Sequence, residues 1–180
     1  MFRPREEKKQ EGPSFDWVFW FKWILVSTLG WLVGIMLPGL FAAAIGVAVG
    51  VLQWLVLRSL FQRAGWWVLG SGLGWAIGFL TITYLLPEQI AVLQGVILGA
   101  SIGVGQWIIL RWWVPRAYWW IPMSAAGWGV GPILGPLLVG GVVGAATGFA
   151  LELLVRHPHP ETFKGVLPEL EDESRGGGRR

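Results

Sequence analysis

The chain has 180 residues, 54% of them hydrophobic and 14% charged, with a mean hydropathy of +0.56 and a formal charge of +3. A soluble domain carries about 25% charged residues, so this composition excludes a free globular protein, and basic residues standing singly at the ends of apolar runs exclude a nucleic-acid-binding stripe. Cysteine is absent and only His157 and His159 occur, which removes thiol chemistry, iron–sulfur ligation and a complete zinc set.

Residues 1–14 mix charges without apolar periodicity and read as a polar cytoplasmic tail, whose cations would meet anionic lipid at about 1 kcal/mol each. From Trp17 onward, apolar runs of roughly 20 residues follow, the length that crosses a bilayer core. They predict helices at about 17–37, 40–58, 65–86, 89–111, 117–134 and 137–156. No alternating barrel pattern is present, and only helices and closed barrels satisfy the backbone inside lipid. Pro38, Pro87 and Pro136 stand at the turns between paired helices, where the first turn of the following helix tolerates proline. Residues 157–180, which include the His-Pro-His-Pro run and an acidic and then basic end, read as a disordered cytoplasmic tail.

The first, third and fifth helices share one pattern. Trp23, Ser27, Gly30, Trp31 and Gly34 recur as Trp67, Ser71, Gly74, Trp75 and Gly78, and again as Trp120, Ser124, Gly127, Trp128 and Gly131. The second and fourth share another, Gly46, Gly50, Gln53, Trp54 and Arg58, then Gly99, Gly103, Gln106, Trp107 and Arg111. A third copy is read in the sixth helix as Gly144, Gly148 and Arg156, with Leu151 and Glu152 replacing Gln-Trp. Self-similarity at this period means one supersecondary unit used repeatedly. The expected fold class is therefore an all-α membrane protein, with six transmembrane helices forming three tandem parallel helical-hairpin repeats at about 17–58, 65–111 and 117–156 within a membrane domain of residues 15–156. A pseudo-threefold ring and a less symmetric bundle both remain open.

All 14 Lys and Arg fall before the first helix or near its start, between helices two and three or four and five, or at and beyond the end of the sixth. The excess of cations in cytoplasmic loops predicts both termini in the cytoplasm.

The pairs Gly46/Gly50, Gly99/Gly103 and Gly144/Gly148 have GxxxG spacing and are expected to let helices approach closely, within the monomer or between copies. Eleven tryptophans near the cytoplasmic ends, among them Trp23, Trp67 and Trp120, fit an interfacial belt. Trp31, Trp75 and Trp128 lie deeper, with Ser27, Ser71 and Ser124 four residues earlier as candidate partners for their indole N–H groups, in a structural cluster or around a ligand pocket. Gln53 with Arg58, Gln106 with Arg111, and Glu152 with Arg156 are candidate polar groups near the membrane boundary. The glutamines can reach water or bond across helices, and Glu152 suits an ion pair with Arg156 one turn on. Gln94 is a further polar candidate in the fourth helix.

The segments Gly50–Arg58 and Ala64–Trp75, repeated at Gln106–Arg111 and Trp119–Trp128, resemble a group of small Trp- and Gly-rich membrane proteins of cyanobacteria and Chloroflexi. The shared motifs are Gln-Trp-x3-Arg and Trp-x3-Ser-x2-Gly-Trp, and the likeness covers most of residues 17–156, departing from the pattern at Leu151-Glu152. It implies a phylum and placement in a bacterial inner or thylakoid membrane, but no mechanism. Tryptophan-rich sensory proteins, with five spans and no such repeat, and mitochondrial carriers, with a charged Pro-x-Asp/Glu signature, do not fit. No catalytic residues, metal ligands or cofactor-binding motif are recognised. The expectation is a non-enzymatic scaffold or accessory subunit of a larger membrane complex, whose partners are lipid and other subunits or copies of itself, with no nucleic acid. The alternative is a small transporter or channel with a path along the pseudo-threefold axis.

Overall fold

A computed structural model describes residues 14–37, 43–86 and 91–156. Expectations for residues 1–13 and 157–180, including His157 and His159, and for the turns that hold Pro38, Pro87 and Glu88, lie outside these residues. Six α-helices and no strand occur among the described residues: α1 (Trp17–Ile35), α2 (Ala43–Leu57), α3 (Trp66–Leu85), α4 (Ala91–Leu110), α5 (Trp120–Val130) and α6 (Val139–Arg156). Three of them, α1, α3 and α4, are long and apolar enough to cross a membrane, while α2 and α6 are shorter apolar helices.

The single helix expected at 117–134 is divided. A 3-10 turn (Ala117–Trp119) leads into α5, and a second (Gly131–Leu134) follows it. Pro132 has no N–H to return to Trp128, so the helical ladder is interrupted and the backbone tightens. Gly135, at φ +108°, then turns the chain toward α6. At α1 the start is explicit: Asp16 caps the helix, its Oδ1 accepting from Phe19 N at 2.9 Å.

Each helix packs on its two sequence neighbours, and α6 returns to α1, so the six form a closed ring. Neighbours run antiparallel because their contacts step in opposite directions. Gly30 faces Val49 while Gly34 faces Ile45, and at the closing seam Gly140 faces Trp31 while Gly148 faces Trp23. The start of α1, the end of α6 and the connections at 58–65 and 111–119 therefore share one end of the ring. Arg63 and Arg116 hold matching places in those connections, with left-handed φ of 59° and 60°. Phe61 stacks on Trp113 with centroids 4.9 Å apart and ties the two connections together.

Glycine sets the helix separation. A methyl placed on Gly46 would lie 2.5 Å from Trp75 Cβ and 2.7 Å from Ser71 O, and one on Gly99 would lie 2.7 Å from Trp128 Cβ and 2.6 Å from Ser124 O. In α6 the residue making this contact is Gly140, 2.7 Å from Trp31 Cβ and 2.9 Å from Ser27 O. Gly144 in turn meets Ile24 Cα and Ser27 Cβ, as Gly50 meets Val68 Cα and Ser71 Cβ and Gly103 meets Ile121 Cα and Ser124 Cβ. The register read in the sixth helix is thus corrected by one turn. Gly140, Gly144, Thr147, Gly148, Leu151 and Glu152 take the places of Gly46, Gly50, Gln53, Trp54, Leu57 and Arg58. Three glycines at four-residue spacing fit either register, and backbone contact selects the earlier one.

Candidate functional site

The ring axis carries two layers of indoles with a polar belt between them. Trp23, Trp67 and Trp120, contributed by α1, α3 and α5, are all 0% exposed. Their centroids are 6.1, 6.1 and 5.4 Å apart with every pair edge-to-face. The expected place of these three in an interfacial belt is corrected: they lie on the helix face that carries Ser27, Ser71, Ser124 and the packing glycines, which turns inward. Exposed Trp17, Trp66, Trp112 and Trp119 do stand at that end of the ring. Two turns deeper, Trp31, Trp75 and Trp128 form the second layer, with centroids 6.2, 5.5 and 5.1 Å apart. Trp31 and Trp75 are tilted by 51° and the other pairs of this layer meet edge-to-face; an edge-to-face pair contributes about 0.5–1.5 kcal/mol beyond its buried area.

Each indole of the outer layer donates to the neighbouring even-numbered helix. Trp67 Nε1 reaches Gln53 Oε1 at 2.9 Å, Trp120 Nε1 reaches Gln106 Oε1 at 2.8 Å and Trp23 Nε1 reaches Thr147 Oγ1 at 3.0 Å. Each glutamine then donates onward to its other neighbouring helix, Gln53 Nε2 to Ser27 Oγ at 3.0 Å and Gln106 Nε2 to Ser71 Oγ at 2.9 Å. Gln106 Nε2 also lies 3.4 Å from Gln53 Oε1, a long contact that links the two sets. Ser124, facing Thr147 rather than a glutamine, donates instead to Gly99 O at 2.8 Å. All six groups, Ser27, Ser71, Ser124, Gln53, Gln106 and Thr147, are at least 97% buried.

The expected serine–indole pairing is not formed. Ser71 Oγ donates to its own helix at Trp67 O, and Trp31 Nε1 reaches Pro136 O at 2.6 Å. Trp75 Nε1 is enclosed and has no hydrogen-bond partner among the described residues. Beside it lies a cavity of about 10 Å³ lined in part by Gln53, Ser71, Trp75, Gln106, Ser124 and Thr147. That volume is at the lower limit for a single water.

The seam between α6 and α1 departs from the other junctions in a compensating way. Trp20 stands three residues before Trp23, where Ala64 and Ala117 precede Trp67 and Trp120, and Gly148 replaces the bulk of Trp54 and Trp107. A methyl on Gly148 would lie 2.8 Å from Trp23 Cδ1 and 3.2 Å from Trp20 Cδ1, so the glycine makes room for both indoles. Trp20 Nε1 donates to Ala145 O at 3.0 Å. The Trp-x3-Arg spacing finds its purpose at the other junctions, where Arg58 lies over Trp54 at 5.6 Å and Arg111 over Trp107 at 5.3 Å. At the seam Glu152 takes the arginine's place and accepts from Asp16 N at 2.7 Å, fastening the start of α1. The expected Glu152 partner, Arg156, has a side chain outside the described set.

Thr147 and Asp16 were not singled out by sequence reasoning, and Trp20 was read only as one of the interfacial belt. Asp16 carried a signal, since an aspartate immediately before an apolar run is an N-cap pattern. Gln94 is half-buried on α4. No group of three or more metal-ligating side chains occurs among the described residues. Comparison with protein-family models, curated proteins and solved structures gives no match.

Proposed function

We propose that the chain is a six-span integral membrane protein of three tandem parallel hairpins, with both termini cytoplasmic, in a bacterial inner or thylakoid membrane. We further propose that it acts without catalysis, as a scaffold or an accessory or assembly subunit of a larger membrane complex. The observation that carries this reading is the filled axis: two indole layers close it, and the side chains between them are engaged with one another. Supporting it are the apolar outer faces, with Leu25, Leu29 and Val33 exposed on α1 and Leu69, Leu73 and Ile77 exposed on α3. The recurrence of the indole, serine and glycine contacts from hairpin to hairpin supports the pseudo-threefold ring over an irregular bundle. Arg58, Arg63, Arg111 and Arg116 at one end of the ring support the orientation.

Purification in mild detergent from the native membrane tests the subunit role. A stoichiometric membrane partner is expected to co-elute, and a monodisperse small protein with no partner counts against it. The second reading, a small transporter or channel, is favoured by one observation, the polar-lined cavity on the axis. A conducting path would require both indole layers to part. Flux across proteoliposomes, raised by shrinking Trp67 and Trp75 together, would favour that reading instead.

A further inference from the structure

We propose that the outer groove between α5 and α6 is a binding site for an anionic phospholipid, its phosphate held by Arg116 and one acyl chain lying along Met123, Phe149 and Leu153. The groove has a volume of about 340 Å³ and is walled by Arg116 and Trp119 at one end and by apolar side chains along its length. That size falls in the usual range of small-ligand sites, about 300–1,000 Å³. Trp119, Phe149 and Leu153 are 55%, 45% and 40% exposed, so the slot opens on the outside of the ring and not toward the axis.

Charge complementarity selects the occupant. Among the described residues, Arg116 is the one charged member of the groove wall, and its guanidinium can grip a phosphate through two parallel N–H donors. It is held at the groove mouth by a left-handed backbone, φ 60°, just before the 3-10 turn that starts at Ala117. A cation and an indole at the ring end that bears Arg58 and Arg63, above an apolar slot, match the order headgroup, interface, acyl chain. A second outer groove, of about 620 Å³, lies between α3 and α4 and is walled by Trp66, Gly70, Ile108 and Trp112, at the places matching Trp119, Met123, Phe149 and Leu153. Its wall contains no charged residue among those described, so the α5–α6 groove is the one expected to discriminate by headgroup.

The inference rests on the membrane placement proposed above. Native mass spectrometry of the full chain in detergent tests it, comparing phosphatidylglycerol with phosphatidylcholine of identical acyl chains. Phosphatidylglycerol is expected to be retained preferentially. Arg116→Gln should weaken its retention by about fivefold, the effect of one cation at a membrane surface, and Arg116→Lys, which keeps the charge but not the two-donor fork, should restore part of it. Leu153→Trp, which fills the slot, should lower retention of both lipids at this site. Arg58→Gln, which removes a cation at the same ring end but away from the groove, should leave retention unchanged. Equal retention of the two lipids, equal losses from Arg58→Gln and Arg116→Gln, or a dimer in place of a lipid adduct would each overturn the proposal. Recovery of the protein without detergent would instead sink the membrane placement itself.

Discussion

The two layers of tryptophan look alike in sequence but differ in what their N–H groups meet. Trp120 Nε1 supplies a hydrogen bond to Gln106 Oε1, whereas Trp75 Nε1 is enclosed without a partner among the described residues. Removing one member of a buried pair leaves the other unsatisfied, at about 1–3 kcal/mol, whereas removing an unpartnered donor carries no such cost. Trp120→Phe is therefore expected to lower the unfolding midpoint in detergent clearly more than Trp75→Phe, and equal losses would contradict the hydrogen-bond assignment. Thr147 offers a cleaner comparison. Thr147→Val keeps the shape but strands Trp23 Nε1, costing about 0.5–2 kcal/mol, while Thr147→Ser keeps the acceptor and should lie closer to wild type. The inward place of Trp23, Trp67 and Trp120 could have been read from the sequence, because each shares a helix face with the serine and glycine of its own motif. Their nearness to the ends of the apolar runs concealed it, since depth along a helix says nothing about which face a side chain occupies.

Among the helices, α6 shows where a sequence pattern loses its register. Gly140, Gly144 and Gly148 repeat every four residues, so sliding the motif by one turn still matches glycine to glycine. The decision rests on atoms across the interface: Gly140 abuts the α1 backbone, whereas a methyl on Gly141 would meet Thr28 Oγ1 at an ordinary 3.5 Å. Gly140→Ala should force α1 and α6 apart at a cost of about 1–3 kcal/mol. Gly141→Ala should be neutral or stabilise by about 0.5–1 kcal/mol through its helix propensity. Thermal melts of the two variants check the contrast, and a silent Gly140→Ala beside a destabilising Gly141→Ala would contradict the corrected register. The identity of Leu57, Leu110 and Leu151, each 0% exposed, was the available clue to the shift. The division of α5 was likewise legible at Pro132, whereas the exchange of Trp54 for Gly148 against Ala64 for Trp20 appears only when two distant segments are brought together.

For the whole ring, closure of α6 on α1 is a contact between residues more than a hundred apart in sequence, which periodicity cannot reveal. What periodicity supplies is three matching units, and packing decides that they close. Cysteines at Thr28 and Gly141, in a chain with no native cysteine, should oxidise to a disulfide between the first and last helices, and failure to cross-link would leave the ring open. Orientation is the remaining question. Single cysteines at Ser59 and Pro115, in the connections near Arg63 and Arg116, and at Leu137, in the turn before α6, should be tested with a membrane-impermeant thiol reagent in sealed vesicles of known sidedness. Ser59→Cys and Pro115→Cys are expected to label together from the cytoplasmic side and Leu137→Cys from the opposite one. Labelling of the first two from opposite sides would contradict the parallel hairpins, and with them the shared indole axis on which the functional reading depends.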